Sequence, residues 1–238
     1  MSVNYSPVNI TDGIILNLDA GDNKSYPGSG TAWYDTSGNN NHMTINASAF
    51  NSSGPKYMDF NGSYGLAVTA SGNDVTAAGS CSAVVWTRIK NSTSDWRTLF
   101  RGETSGNDHQ VIVQYSGWLI GMYDNINGTG FNSSGYSQQS LPGYGTSAWN
   151  MLVWRWSNTS NNYYYYNFCY NNSPGTLQGY NNSGNARYKC GFRTLGGYSS
   201  TSPSQYWGDI ARVTMYNRYI SDDEVITHFN SYRGRFGL

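Results

Sequence analysis

Apolar and polar residues alternate with a period of two along most of this chain, the signature of strands with one buried face. Ile14 to Leu18, Met43-Thr44-Ile45 and Tyr57-Met58-Asp59-Phe60 are short strands of this kind. From Cys81 to Ile89 the pattern is cleaner: Cys81, Ala83, Val85 and Ile89 share one face, and Ser82, Val84, Trp86 and Arg88 the other. Arg97 to Arg101, Val111 to Tyr115 and Trp118 to Tyr123 continue the series, the last two pairing across Ser116-Gly117. Trp149 to Trp156 and Tyr163 to Tyr170 form a hairpin around residues 157 to 162. In the run beginning at Trp207, Ile210, Arg212, Thr214 and Tyr216 are expected on one face and Ala211, Val213 and Met215 on the other. The period changes only after that. Ser221 can cap a short helix, with Glu224 reaching back in a capping box, Ile220 and Val225 as a hydrophobic staple, and Gly234 as the stop.

Strands joined by turns rich in Gly, Ser and Asn predict an all-β fold, a two-sheet antiparallel jelly-roll sandwich with one short C-terminal helix. Each strand must give one face to the space between the sheets. The Cys81/Ala83/Val85 side is assigned to it, which puts Trp86 on an outer surface. The 238 residues read as a single domain: an N-terminal arm over 1–11, sandwich and helix over 12–231, and a tail over 232–238. The arm and tail are natural docking segments. Residues 124 to 146 read as one elaborated loop, and the turn-rich segment from Asp19 to Asn41 as an ordered loop pinned by Tyr26, Trp33 and Tyr34.

Charge narrows the partners. Lys plus Arg and Asp plus Glu are 14 each, so no surplus of positive charge exists to draw a phosphate backbone, and nucleic acid is not an expected partner. The N-terminus shows no basic region followed by an apolar core, so no secretory signal is expected, and no apolar run reaches the roughly 20 residues that cross a bilayer. Synthesis in a reducing cytosol would keep Cys81, Cys169 and Cys190 as thiols, the first two as small buried side chains. Glycosylation-type sequons, at Asn9, Asn46, Asn61, Asn91, Asn127, Asn158 and Asn181 among others, suit a chain made where the glycosylation machinery is absent.

Both ends resemble a known family. Trp207-Gly208-Asp209-Ile210-Ala211-Arg212-Val213, then Tyr216-Asn217-Arg218, the Ser221-x-x-Glu224 helix and the terminal Arg233 to Leu238 are similar to the last strand and tail of laminin-G-like jelly-roll domains. The opening matches at Tyr5-Ser6-Pro7, Asp12 to Ala20, Lys24 to Thr31 and Trp33 to Asn39. These domains belong to the concanavalin A-like lectin/glucanase superfamily, and the tail resembles the branch found in virion proteins of tailed bacteriophages. The resemblance implies a non-enzymatic virion structural protein, as capsid decoration or as part of a fibre or appendage. It also implies symmetric copies and other virion proteins as partners, and a place on the virion surface. The alternative is a carbohydrate-binding adhesion module for host or environmental glycans.

Catalytic chemistry is absent from the sequence. Laminarinase-like relatives carry Glu-x-Asp-x-x-Glu on one strand, a spacing that lets two carboxylates flank a glycosidic bond; this chain has no such run. Asp222-Asp223-Glu224 belongs to the helix cap, where negative charge favours the helix dipole. His42, His109 and His228 lack metal-ligand spacing, and His228 reads as a surface charge near a helix end. No catalytic residue is therefore assigned. For glycans, flat rings beside amides and carboxylates are the relevant pattern, and Trp86, Trp96, Trp118 and Tyr123, near Gln114 and Asp124, fit it. No resident cofactor is expected. Several laminin-G-like domains hold calcium at the sandwich rim, which would fall here to Asp19, Asp35 and Asn39. Asp35 and Asn39 can equally turn onto their own backbone.

Overall fold

The computed structural model describes residues 9–46, 49–61, 66–69, 71, 75–90, 96–102, 109–114, 119–124, 139–140, 148–159, 163–173, 178–181, 189–197 and 206–238. They form β1 (Ile14–Asp19), β2 (Ala32–Trp33), β3 (Met43–Asn46), β4 (Ala49–Asn51), β5 (Tyr57–Asn61), β6 (Leu66–Thr69), β7 (Val75–Ala78), β8 (Cys81–Ile89) and β9 (Trp96–Arg101). There follow β10 (His109–Gln114), β11 (Leu119–Asp124), β12 (Gln139–Ser140), β13 (Asn150–Thr159), β14 (Tyr163–Tyr170), β15 (Gln178–Asn181), β16 (Lys189–Phe192), β17 (Thr194–Leu195) and β18 (Trp207–Tyr216). One helix, α1 (Asp222–Tyr232), and a 3-10 turn (Arg233–Phe236) close the chain.

Among the described residues all strand pairings are antiparallel. One sheet runs β15-β14-β13-β8-β18-β5-β4, and β1 joins it on β18. The facing sheet runs β12-β11-β10-β9-β17-β6-β3-β2, while β16 and β7 pair separately. The last strand is thus interior to the first sheet and bonds three others. Its opening residues, Trp207 to Ile210, bond β5, its later ones bond β1, and its other edge bonds β8. The expected hairpin is β13 with β14, and the expected partner of β10 is β11.

Two apolar layers result. Between the sheets lie Leu16, Leu18, Met58, Cys81, Ala83, Val85, Trp154, Ile210, Val213 and Met215 from the first sheet and Trp33, Met43, Leu99, Phe100, Val111, Val113 and Leu195 from the second. Phe100 meets Trp154 across the gap at 5.4 Å between ring centroids. The second layer is on the far side of the first sheet, where Val84, Trp86, Met151, Val153, Ala211 and Tyr216 are covered by Val225, Phe229, Tyr232 and Phe236. Ser221 accepts from the Glu224 backbone N–H and the Glu224 carboxylate accepts from that of Ser221, completing the expected capping box. Arg218 forks onto the same Glu224.

Four expectations are corrected. β18 carries a bulge between Ile210 and Arg212, so Ala211 and Arg212 both leave the inner face and Val213 and Met215 join Ile210 there. Strict alternation through the strand cannot anticipate an inserted residue. Gly234 does not stop the helix; the chain tightens into the 3-10 turn and ends it at Gly237, the residue with positive φ (74°). His228 is not a surface charge but is 1% exposed, because the helix lays that side on the sheet. Cys81 is disulfide-bonded while Cys169 is a buried cysteine outside any disulfide. An odd count leaves room for a bridge, so parity alone does not set redox state.

Candidate functional site

The seven residues singled out from the sequence fare differently. Trp86 lies on the outer face of β8 as expected, but that face is roofed. Its indole is 0% exposed and stacked on Phe236 (4.3 Å) and Phe229 (5.9 Å), so it offers no surface to a glycan. The helix that follows β18 must bury its apolar stripe somewhere, and Trp86 is what it covers. Trp96 is half-buried at the start of β9, directly opposite Gln114 of β10. Tyr123 stands opposite Gln110 in the backbone register of β10 and β11. Trp118 and the side chain of Tyr123 lie outside the described residues.

Two of the calcium candidates, Asp35 and Asp19, are spent on other bonds. Asp35 accepts from the backbone N–H of Asn17 (2.8 Å), Ser37 (2.9 Å) and Asn41 (2.9 Å) and from the Ser37 hydroxyl (2.8 Å). Asp19 accepts from Arg212 Nη1 at 3.0 Å, Arg235 Nη1 at 2.7 Å and the Gly21 backbone at 2.7 Å. Asn39 donates its amide to the Ile14 carbonyl. Oxygens already holding N–H donors, two of them on guanidinium groups, do not suit a hard cation. No group of three or more His, Cys, Asp or Glu among the described residues is placed to hold a metal. The melting temperature is accordingly expected to be the same in calcium and in chelator, whereas calcium at a hundredfold its Kd would add about 2.7 kcal/mol. Differential scanning calorimetry in the two buffers decides it.

What the sequence reading missed is at the opposite end of the roofed face. Here β5, β18 and β8 bring Asp59, Asp209, Arg88 and Lys90 onto one surface, because Asp209 stands opposite both Asp59 and Arg88. Lys90 Nζ bridges the two carboxylates at 2.6 Å to Asp209 and 3.0 Å to Asp59, and Arg88 holds the other Asp209 oxygen at 2.5 to 2.7 Å. The Arg88 guanidinium lies over Tyr57 and Trp149, 5.3 and 5.2 Å from the ring centres. Trp149 in turn meets Phe236, so an aromatic and cationic row runs from the roof to the open end. Two residues before Asp209 on the same face of β18 is Trp207, which is 41% exposed. The available signal was the spacing Arg88-x-Lys90 and Trp207-x-Asp209, which puts each pair on one side of its strand.

Facing carboxylates invite the thought of hydrolysis. Asp209, however, is 0% exposed and clamped between two cations. Burial pushes its carboxyl up while Lys90 and Arg88 pull it back. Burial alone would depress the Lys90 ammonium, but its bonds to Asp209 and Asp59 carry it upward. A water-exposed acid beside an open nucleophile is what glycosidases use, and this locked pair is neither.

No family model matches the chain, and no curated protein matches its sequence. Solved structures do match in shape. The binding domain of botulinum neurotoxin DC in complex with rat synaptotagmin II superimposes with a TM-score of 0.65 at 16% identity, over 94% of this chain and 52% of that one. The type C botulinum neurotoxin, whose cell entry depends on interaction with two ganglioside molecules, gives 0.62 at 15% identity over 94% and 52%. The binding domain of serotype D gives 0.62 at 13% over 93% and 52%. The chain spans about half the length of these structures. At such identities the likeness establishes the fold alone, an all-β sandwich.

Proposed function

We propose that this chain is a non-enzymatic carbohydrate-binding adhesion module. The observation that carries the reading is the likeness of nearly the whole chain to receptor-binding domains of toxins, one of which engages gangliosides. A fold alone does not assign a function. Supporting it are the locking of the Asp59 and Asp209 carboxylates by Lys90 and the neutral, aromatic-rich composition, which suits uncharged, ring-shaped ligands. The disulfide at Cys81 suits display outside a reducing compartment, such as a virion or cell surface. The resemblance of the C-terminal tail to tailed-phage virion proteins would make a virion surface the setting, with copies of the chain and other virion proteins as neighbours. The C-terminal tail is built into the sandwich through Phe236 and Arg235, so docking in such an assembly would fall to other surfaces.

The test is a printed array of neutral and acidic glycans, probed with the full chain, with and without calcium. Saturable binding to a defined set is expected, equal in both buffers. A blank array would overturn the adhesion reading.

A further inference from the structure

We propose that the open end of the outer face is a carbohydrate subsite in which the Trp207 indole is the platform for one neutral hexopyranose and Asp59 and Lys90 bond its hydroxyls. The inference rests on the adhesion reading and gives it a location and a sugar class.

Trp207 is held out to solvent by a rigid support. The exposed large apolar side chains among the described residues are Tyr34, Trp207 and Leu238; only Trp207 is on a strand. On either side of it in the chain, Tyr206 and Gly208 are buried. The Tyr206 hydroxyl is 2.5 Å from the Thr87 hydroxyl, Thr87 donates to the Asp209 carbonyl at 2.7 Å, and the Lys90 N–H donates to the Trp207 carbonyl at 2.8 Å. A Cβ at Gly208 would sit 2.4 Å from the Arg88 carbonyl oxygen, so only glycine lets the strands approach this closely beside the indole. With its backbone fixed before binding, Trp207 has only its side-chain rotations to lose.

The polar groups beside the ring match a sugar's edge. Asp209 is two residues on from Trp207, and Asp59 stands opposite it, so all three face outward together. Asp59 and Lys90 keep 35% and 29% of their side chains exposed although they are bonded to each other. They set an acceptor and a donor side by side, as vicinal hydroxyls require. The charges of Arg88 and Lys90 are cancelled by those of Asp59 and Asp209. No surplus cation is left for the carboxylate of a sialic or uronic acid, and a neutral sugar is therefore favoured. An exposed tryptophan is by itself unremarkable on a surface; its fixed strand position and its balanced polar neighbours distinguish this one.

The experiment uses the full chain on the glycan array together with indole N–H signals in a nitrogen-labelled sample. Methyl glycosides of glucose, galactose, mannose and N-acetylglucosamine are the neutral probes and sialyllactose the acidic one. The signal that Trp207→Ala removes is expected to move with at least one neutral glycoside and not with sialyllactose. Trp207→Ala is expected to lower array binding about tenfold or more at an unchanged melting temperature. An array signal that survives Trp207→Ala places binding elsewhere and overturns the subsite while the adhesion reading stands. The subsite is equally overturned if the Trp207 signal ignores every neutral glycoside. Binding that requires sialic acid overturns the sugar class, and an array blank for the unaltered chain removes both readings.

Discussion

Replacing Trp86 with alanine is expected to lower the unfolding free energy by about 3–5 kcal/mol. The ring is fully buried on the central strand β8, between the sheet and the helix that roofs it, with Phe236 stacked at 4.3 Å and Phe229 at 5.9 Å. Nothing nearby can collapse into the space without unseating the 3-10 turn, so the cavity cost adds to the lost burial. For a domain of this size each 1 kcal/mol moves the melting temperature by about 2–4 °C, so a fall of roughly 10 °C is anticipated. Trp86→Phe should cost much less, because the indole N–H has no hydrogen-bond partner among the described residues and removing it strands nothing. Urea titration of the two variants measures both values. Glycan binding by the molecules that remain folded is expected to be unchanged in either, since the ring faces the roof and not solvent. Loss of binding without loss of stability would contradict the position assigned to Trp86.

Acid is expected to unfold the domain through His228. Its Nε2 is 2.6 Å from the Tyr216 hydroxyl, which donates to the Ile10 carbonyl at 3.0 Å, so the ring donates to Tyr216 and leaves Nδ1 bare. Burial, reinforced by the nearby Arg212 and opposed by Glu224, pulls its pKa down from 6.5 to about 3. Protonation would bury an N–H with no acceptor beside a fixed cation. The unfolded chain takes up its proton near pH 6.5 and the folded one only near pH 3, so stability is full above about 6.5 and falls as pH drops through that window. At about 1.4 kcal/mol per pH unit the whole window is worth roughly 4–5 kcal/mol. Glu224, held down to about 2 mainly by its bond to Arg218, begins to lose its contribution only below its ordinary 4.5. Over the interval from pH 6.5 to 5 the difference between the natural chain and a His228 variant therefore reports the histidine. Urea midpoints across that interval should fall steeply in the natural chain and much less in His228→Gln; equal slopes would refute the assignment.

Much of this architecture was legible because it depends on local pattern. The period-two runs located most of the strands, and the faces of β8 were read correctly because Cys81, Ala83 and Val85 are apolar on the side where both sheets need it. Ser221 and Glu224 announced a cap because both halves of that bond lie within one turn. Features that depend on what comes from far along the chain were not legible. The fate of Trp86 was decided by Phe236, and that of Asp19 by Arg212 and Arg235. Trp207 escaped notice for the opposite reason: an exposed indole and a buried one look alike in a strand pattern. Its meaning comes from Asp59 and Lys90, which only strand order places beside it.

That order also governs how the polypeptide is made. β18 separates β8 and its hairpin from β5 and β4 and bonds β1 as well, so the strand that joins these parts leaves the ribosome after all the other described strands. Until then the nascent sheet exists as two fragments with open edges, which invite pairing with other chains. Slow emergence of residues 207–216, or their loss to premature termination, should therefore yield aggregation during synthesis and not a smaller folded domain.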